Sequence, residues 1–235
     1  MKIELKNLQI AANLSEETTA FTATVHVDGR PAFHASNEGR GGSDRFHVVA
    51  RYTGPSVREI DAWLADNVAP SGPYEADPDK RRPWDTGFRC DLELMVGRLM
   101  PLVAAEKALK LMLRKKIVVL GPDGKIYEYK TAPTPEALAS LHRRKPDEQI
   151  VNDSNEEIRA RAVRLLAQEP DYAEEVYARQ RRGDVTKADA HWLLAQDARA
   201  ARPCPDLQVH LQAVIAAADE RLAAYRRERE AALPA

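Results

Sequence analysis

The stretch Phe21-Thr22-Ala23-Thr24-Val25-His26-Val27-Asp28-Gly29 decides how the first part of the chain folds. Phe21, Ala23, Val25 and Val27 share one parity, and Thr22, Thr24 and His26 the other. That two-residue period is the signature of a strand with one buried face. Asp28-Gly29 then offers two residues that tolerate positive φ, so the chain is predicted to turn back at once in a tight antiparallel hairpin. The return strand is read over Ala32 to Ser36, with Pro31 acceptable at its start. Working backward, Ile3 and Leu5 share one side of an extended segment while Leu8 and Ile10 have the opposite parity, which predicts a bulge near Lys6 and Asn7. Working forward, Phe46 to Tyr52 predicts a further strand.

Between these strands lies the most unusual stretch, Asn37-Glu38-Gly39-Arg40-Gly41-Gly42-Ser43-Asp44, followed by His47. Three glycines within four positions imply positive φ or a close backbone approach. These residues are the first binding candidates. The loop can be read as a phosphate cradle, but it lacks the Gly-Lys-Ser/Thr ending of a P-loop and the spacing Gly-x-Gly-x-x-Gly. A structural turn or a partner-contact loop is the simpler reading. Asp44 and His47, with His26 or His34 across the hairpin, contain the groups of a metal or acid–base site if they converge on one face. Ser43 and His47 name ingredients of a hydrolase without a nucleophile elbow. Cys90 stands at a helix start, where the dipole lowers thiol pKa values, although such a cysteine is more often core. No catalytic residue, metal or cofactor is assigned on these grounds.

The rest of the chain is read mainly as helix. Ser56 and Glu59 form a capping box for a helix to about Asn67. Residues 69–87, rich in Pro and Gly, read as a long loop that Trp84 is expected to pin down. Apolar residues at intervals of three and four mark a helix from Arg89 to Lys116, with a kink or fresh start expected at Pro101. A second hairpin follows over 117–129, then a short helix capped by Thr134, a strand at Gln149–Val151 and a helix from about Asn155 to Gln168. Beyond Glu169 glycine almost disappears, and three helices are read at about Tyr172–Arg181, Lys187–Ala201 and Asp206–Ala232. The fold class is therefore α+β: an N-terminal antiparallel sheet with packed helices over 1–168, then an α-helical appendage over 169–235.

Charge narrows the function classes. Thirty-five basic residues face 36 acidic ones, so no global field attracts nucleic acid or an anionic membrane. Local basic clusters, Lys107, Lys110, Arg114 and Lys115 on one helix and Arg143 and Arg144 on another, make nucleic-acid binding a weak alternative that requires the two to be adjacent. No apolar run is long enough for a membrane span, and the expected location is cytoplasmic. Leu207, Leu211, Val214, Ala218, Leu222 and Tyr225 form a near-heptad seam, which either packs within the appendage or makes a homodimer through 207–225.

Several segments, taken in order, resemble a group of small accessory proteins encoded by tailed phages and prophages. They are Ile3-Glu4-Leu5-Lys6-Asn7, Leu14-Ser15-Glu16-Glu17-Thr18, Asn37 to Ser43 with His47, Asp123-Gly124-Lys125-Ile126-Tyr127 and Ile150-Val151-Asn152-Asp153. The resemblance covers residues up to about 165 and leaves out the helical appendage. It implies a mobile-element setting and carries no established activity. The expectation is a non-enzymatic binding protein that engages a host protein or ribonucleoprotein complex, with inhibition of a defence system such as CRISPR as its most specific form. The alternative is a small enzyme or nucleotide-binding protein centred on Gly39 to His47. The glycine loop, the 69–87 loop with Trp84 and the helical appendage are the expected contact surfaces.

Overall fold

The computed structural model describes residues 1–232 and confirms the α+β class. The chain divides into two compact units, Met1–Gly54 with Met95–Pro170, and Pro55–Leu94 with the chain from Asp171 onward. The sequence reading drew one boundary after residue 168. The observed C-terminal boundary falls close to it, but residues 55–94 group with the C-terminal helices.

In the first unit β1 (Ile3–Ile10), β2 (Phe21–Val27), β3 (Arg30–Asn37) and β4 (Arg45–Val48) form an antiparallel sheet in that order. Asp28 and Gly29 both take positive φ, 48° and 80°, as their hairpin requires. The β1 register shifts between Lys6 and Gln9, with Asn7 at φ 55°, so the bulge sits where the parity change demands it. Phe21, Ala23, Val25, Val27, Phe33 and Ala35 are buried on one face. Strand β4 ends at Val48, short of Tyr52, because Arg51 turns the chain with φ 66° and Tyr52 packs edge-on against Phe33.

The second part of this unit is a small sheet, β5 (Ile117–Leu120) between β6 (Ile126–Tyr129) and β7 (Gln149–Ile150). Strand β5 is buried on both faces, which is why it reads as an unbroken apolar run. Val118 and Leu120 pack with Leu109 and Met112 of α2 (Leu92–Lys115) and Ala162 of α4 (Glu156–Ala167). Ile117 and Val119 pack with Ala137, Leu138 and Leu141 of α3 (Pro135–Arg144). Asn152 ties the layers: its Oδ1 accepts from Val118 N at 2.9 Å, and its Nδ2 donates to the carbonyls of Leu113 and Lys116.

Helix α2 runs through Pro101 as one helix, so the chain makes no fresh start there. A proline ring clashes with the carbonyl four residues back, and that residue here is Gly97, whose backbone shifts most readily.

The second unit holds α1 (Val57–Asn67), α5 (Tyr172–Arg181), α6 (Lys187–Asp197) and α7 (Pro205–Ala231). The capping box of Ser56 and Glu59 is formed, as is that of Thr186 and Asp189. The core gathers Val176, Ala190, Trp192, Leu193 and Leu211, with Leu207, Val214 and Ile215 packed against them. The first half of the α7 seam is thus used within its own unit.

Candidate aromatic binding surface

Residues 69–88 of the second unit form a closed loop with a built interior. Ser71 and Phe88 exchange backbone hydrogen bonds at 2.9 and 3.1 Å, which brings the loop ends together in the manner of an Ω-loop. Asp85 is buried, and its two carboxylate oxygens accept from Tyr74 N and Glu75 N, both at 2.9 Å. Arg81 donates to both oxygens of Asp184 at 2.8 and 3.2 Å, and also to the carbonyls of Glu75 and Ala76. Gly87 has φ 76°, a Cβ there would stand 2.9 Å from Thr186 Oγ1, and Ala188 N donates to Thr86 O.

Beneath lies a buried ion pair that the sequence reading missed. Arg179 donates to Asp189 through Nε at 2.8 Å and Nη2 at 2.7 Å, and Asp189 is fully buried. Asp189 Oδ2 also accepts from Thr186 N, so one carboxylate serves the cap and the pair together. Beside Asp189 the Arg179 guanidinium is held above its usual range, principally through their hydrogen bonds. The spacing of Arg179 and Asp189 was visible, but nothing in a sequence says that a capping acid turns inward.

On this scaffold stand three exposed aromatics. Tyr74 is 77% exposed, Trp84 49% and Phe88 37%. Tyr74 meets Phe88 edge-on with ring centroids 4.6 Å apart, and Trp84 at 6.4 Å. Trp84 does not pin the loop, as was expected; Asp85 and Arg81 do so, because buried hydrogen bonds to charged groups fix a loop more firmly than one half-exposed ring. Trp84 instead borders a groove of about 470 Å³ with Leu222, Tyr225, Arg226, Arg229 and Glu230 of α7. A rigid cluster of large exposed rings is the composition of a recognition surface.

The glycine loop of the first unit is built differently. Asn37 Oδ1 accepts from Gly39 N and Thr18 Oγ1, both at 2.8 Å, while Asn37 Nδ2 donates to Asp44 at 2.9 Å and to Gly42 O at 3.2 Å. The Gly39 carbonyl accepts from Glu16, Glu17 and Thr18 N–H groups. Gly41 N turns to Thr18 Oγ1, and Glu38 pairs with Arg45. Gly39, Gly41 and Gly42 all have positive φ. Arg40 and Ser43 are exposed on the loop. Asn37 and Asp44 are brought together; His47 lies on β4 opposite His34, and His26 opposite Glu4. Among the described residues no group of three or more His, Cys, Asp or Glu side chains could hold a metal ion.

The basic residues fall on two sides of the small sheet. Lys107, Lys110, Arg114 and Lys115 belong to α2, which covers one face of β5, and Arg143 and Arg144 to α3, which covers the other. Lys107 donates to Leu8 O at 2.9 Å, and Lys110 pairs with Glu106. Among the described residues no helix is long and apolar enough to cross a membrane. Comparison with protein-family models, curated proteins and solved structures returns no match.

Proposed function

We propose that this chain is a binding protein that engages a partner protein through the Tyr74, Trp84 and Phe88 surface of its second unit. One observation carries the reading: three large rings stay exposed on a loop held by the hydrogen bonds of its buried Asp85 and of Arg81. Trp, Tyr and Arg dominate the energetics of protein recognition, and the groove beside Trp84 offers all three. A rigid loop also loses little entropy on binding. The resemblance to phage accessory proteins supports a host complex as the partner, and a defence complex such as a CRISPR effector is the most specific form of that proposal. The alternative centred on Gly39 to His47 has less support, since the hydrogen-bonding groups of Asn37, Gly39 and Gly41 serve the loop itself.

The test is affinity capture from host lysate, with and without nuclease, using the wild type, Trp84→Ala and Asp44→Asn. The expected result is a nuclease-resistant partner lost with Trp84→Ala and kept with Asp44→Asn. Retention by Trp84→Ala overturns the reading.

A further inference from the structure

The aromatic surface continues along α7 as a strip whose charge is opposite to that of the unit carrying it. Arg221, Leu222, Tyr225, Arg226 and Arg229 recur at three and four and share one side of the helix. That side borders the Trp84 groove and a second groove of about 340 Å³ that includes Arg82, Pro83 and Arg221. Pro83 and Trp84 are chain neighbours, as are Arg221 and Leu222, so the two grooves are lined by adjacent residues.

Four of the nine charged groups bordering these grooves are already matched. Arg81 pairs with Asp184, Lys187 with Asp219, and Asp85 is occupied by two backbone N–H groups. Arg82, Arg221, Arg226 and Arg229 are exposed, and among the described residues none lies within ion-pair distance of a carboxylate. Among the residues that border the grooves, four open guanidiniums thus stand against one open acid, Glu230, with the exposed Glu228 beside them on α7. The unit around them is net negative, with fifteen Lys and Arg against twenty Asp and Glu over residues 55–94 and 171–235. A local cationic strip on an acidic body is not a by-product of composition.

We infer that this strip seats a short acidic segment of the partner protein. The inference rests on the binding reading above and specifies what is bound. An apolar side chain of the segment sits against Trp84, Leu222 and Tyr225. Carboxylates on either side of it pair with Arg82 and Arg221 at one end and with Arg226 and Arg229 at the other. Guanidinium groups match carboxylates with two parallel hydrogen bonds, which fixes orientation as well as sign. Arg221 to Arg229 spans about 12 Å of helix, the length of roughly four extended residues or two helical turns. A polynucleotide would meet the same arginines but would run past them, where the net negative charge of the unit opposes it.

The experiment measures fluorescence anisotropy of labelled probes with the full chain. The probes are a short peptide with Leu and Phe flanked on both sides by Asp and Glu, the same peptide with Lys for every acid, and an oligothymidylate of similar length. The acidic peptide is expected to bind saturably, and the doubly reversed Arg226→Glu, Arg229→Glu variant to weaken it by at least about tenfold. The same variant is expected to gain the lysine peptide, a result that unfolding cannot produce. Equal binding of the acidic and lysine peptides, or tighter binding of oligothymidylate, overturns the inference. If either occurs while Trp84→Ala still abolishes capture, the binding reading stands alone; if Trp84→Ala leaves capture intact, both fall.

Discussion

The two polar loops of this protein look alike as sequence and differ as structure. The Asn37–Asp44 loop is closed by the Asn37 amide, which bonds Asp44 and Gly39 N, and by Thr18, which receives Gly41 N, while Glu38, Arg40 and Ser43 stay exposed. The 69–88 loop is held by Asp85, which bonds its own backbone, and by Arg81, which reaches Asp184, and it leaves Tyr74, Trp84 and Phe88 exposed. Glycine content marks where a chain must bend sharply. What a bonded loop leaves exposed is a separate property, and the proposed contact is read from it.

The largest effect is expected from removing the support under the second loop. Arg179→Met leaves the Asp189 carboxylate buried without its partner, at a cost of about 3–5 kcal/mol. Trp63, Trp84 and Trp192 all belong to the second unit, so tryptophan fluorescence during urea unfolding reports that unit selectively. A shift below about 1 kcal/mol would mean that water or rearrangement compensates Asp189.

Next comes the turn of the first loop. A Cβ on Gly39 would stand 2.3 Å from the Leu14 carbonyl oxygen, whereas one on Gly42 meets nothing within 4 Å, and both residues have positive φ. Gly42→Ala should therefore cost only the left-handed backbone, about 1–2 kcal/mol, and Gly39→Ala distinctly more. Circular dichroism during urea unfolding of the two variants checks the order. Equal losses would show that the Leu14 segment yields easily, and the contrast between a docked and a merely strained glycine would fail.

Local rules made much of this fold readable. Asp28-Gly29, the Ser56 and Thr186 caps and the apolar run Ile117 to Leu120 each state their structure within a few residues. Pro101 does not restart α2, and the carbonyl that its ring meets belongs to Gly97, one turn earlier. The grouping of residues 55–94 with the C-terminal helices depends on distant pairs, such as Arg81 with Asp184 and Gln196 with the Asp66 carbonyl, which no window contains. Trp84 stands out in its loop as sequence, but burial there is inverted: the neighbouring Asp85 takes the buried position and Trp84 stays half-exposed.

That inversion sharpens into a third prediction. Trp84→Ala should change the stability of the second unit by no more than about 0.5 kcal/mol, as for a surface substitution. Partner affinity should fall by about 2 kcal/mol or more, roughly thirtyfold. Urea unfolding followed by circular dichroism, beside equilibrium binding of the captured partner, separates the two. A large stability loss would return Trp84 to the role of pin.

The smallest expected effect is a pH response confined to the second unit. Burial first, then the Arg89 and Lys187 charges, push His191 below the ordinary imidazole value near 6.5, while Asp219 and Asp66 pull weakly the other way. A histidine depressed in the folded state is protonated earlier in the unfolded chain. Its contribution is therefore present above the ordinary value and lost as pH falls through the folded one. Asp61, which accepts from Leu92 N at the start of α2, is raised by burial, so its protonation acts in the opposite sense but in the lower carboxylate range. The window for the histidine opens as pH falls below the ordinary imidazole value near 6.5. Urea midpoints read by tryptophan fluorescence should decline across that window in the wild type and stay level in His191→Gln. A decline that survives the substitution would assign the response to another group and remove the one titration that sets the second unit apart.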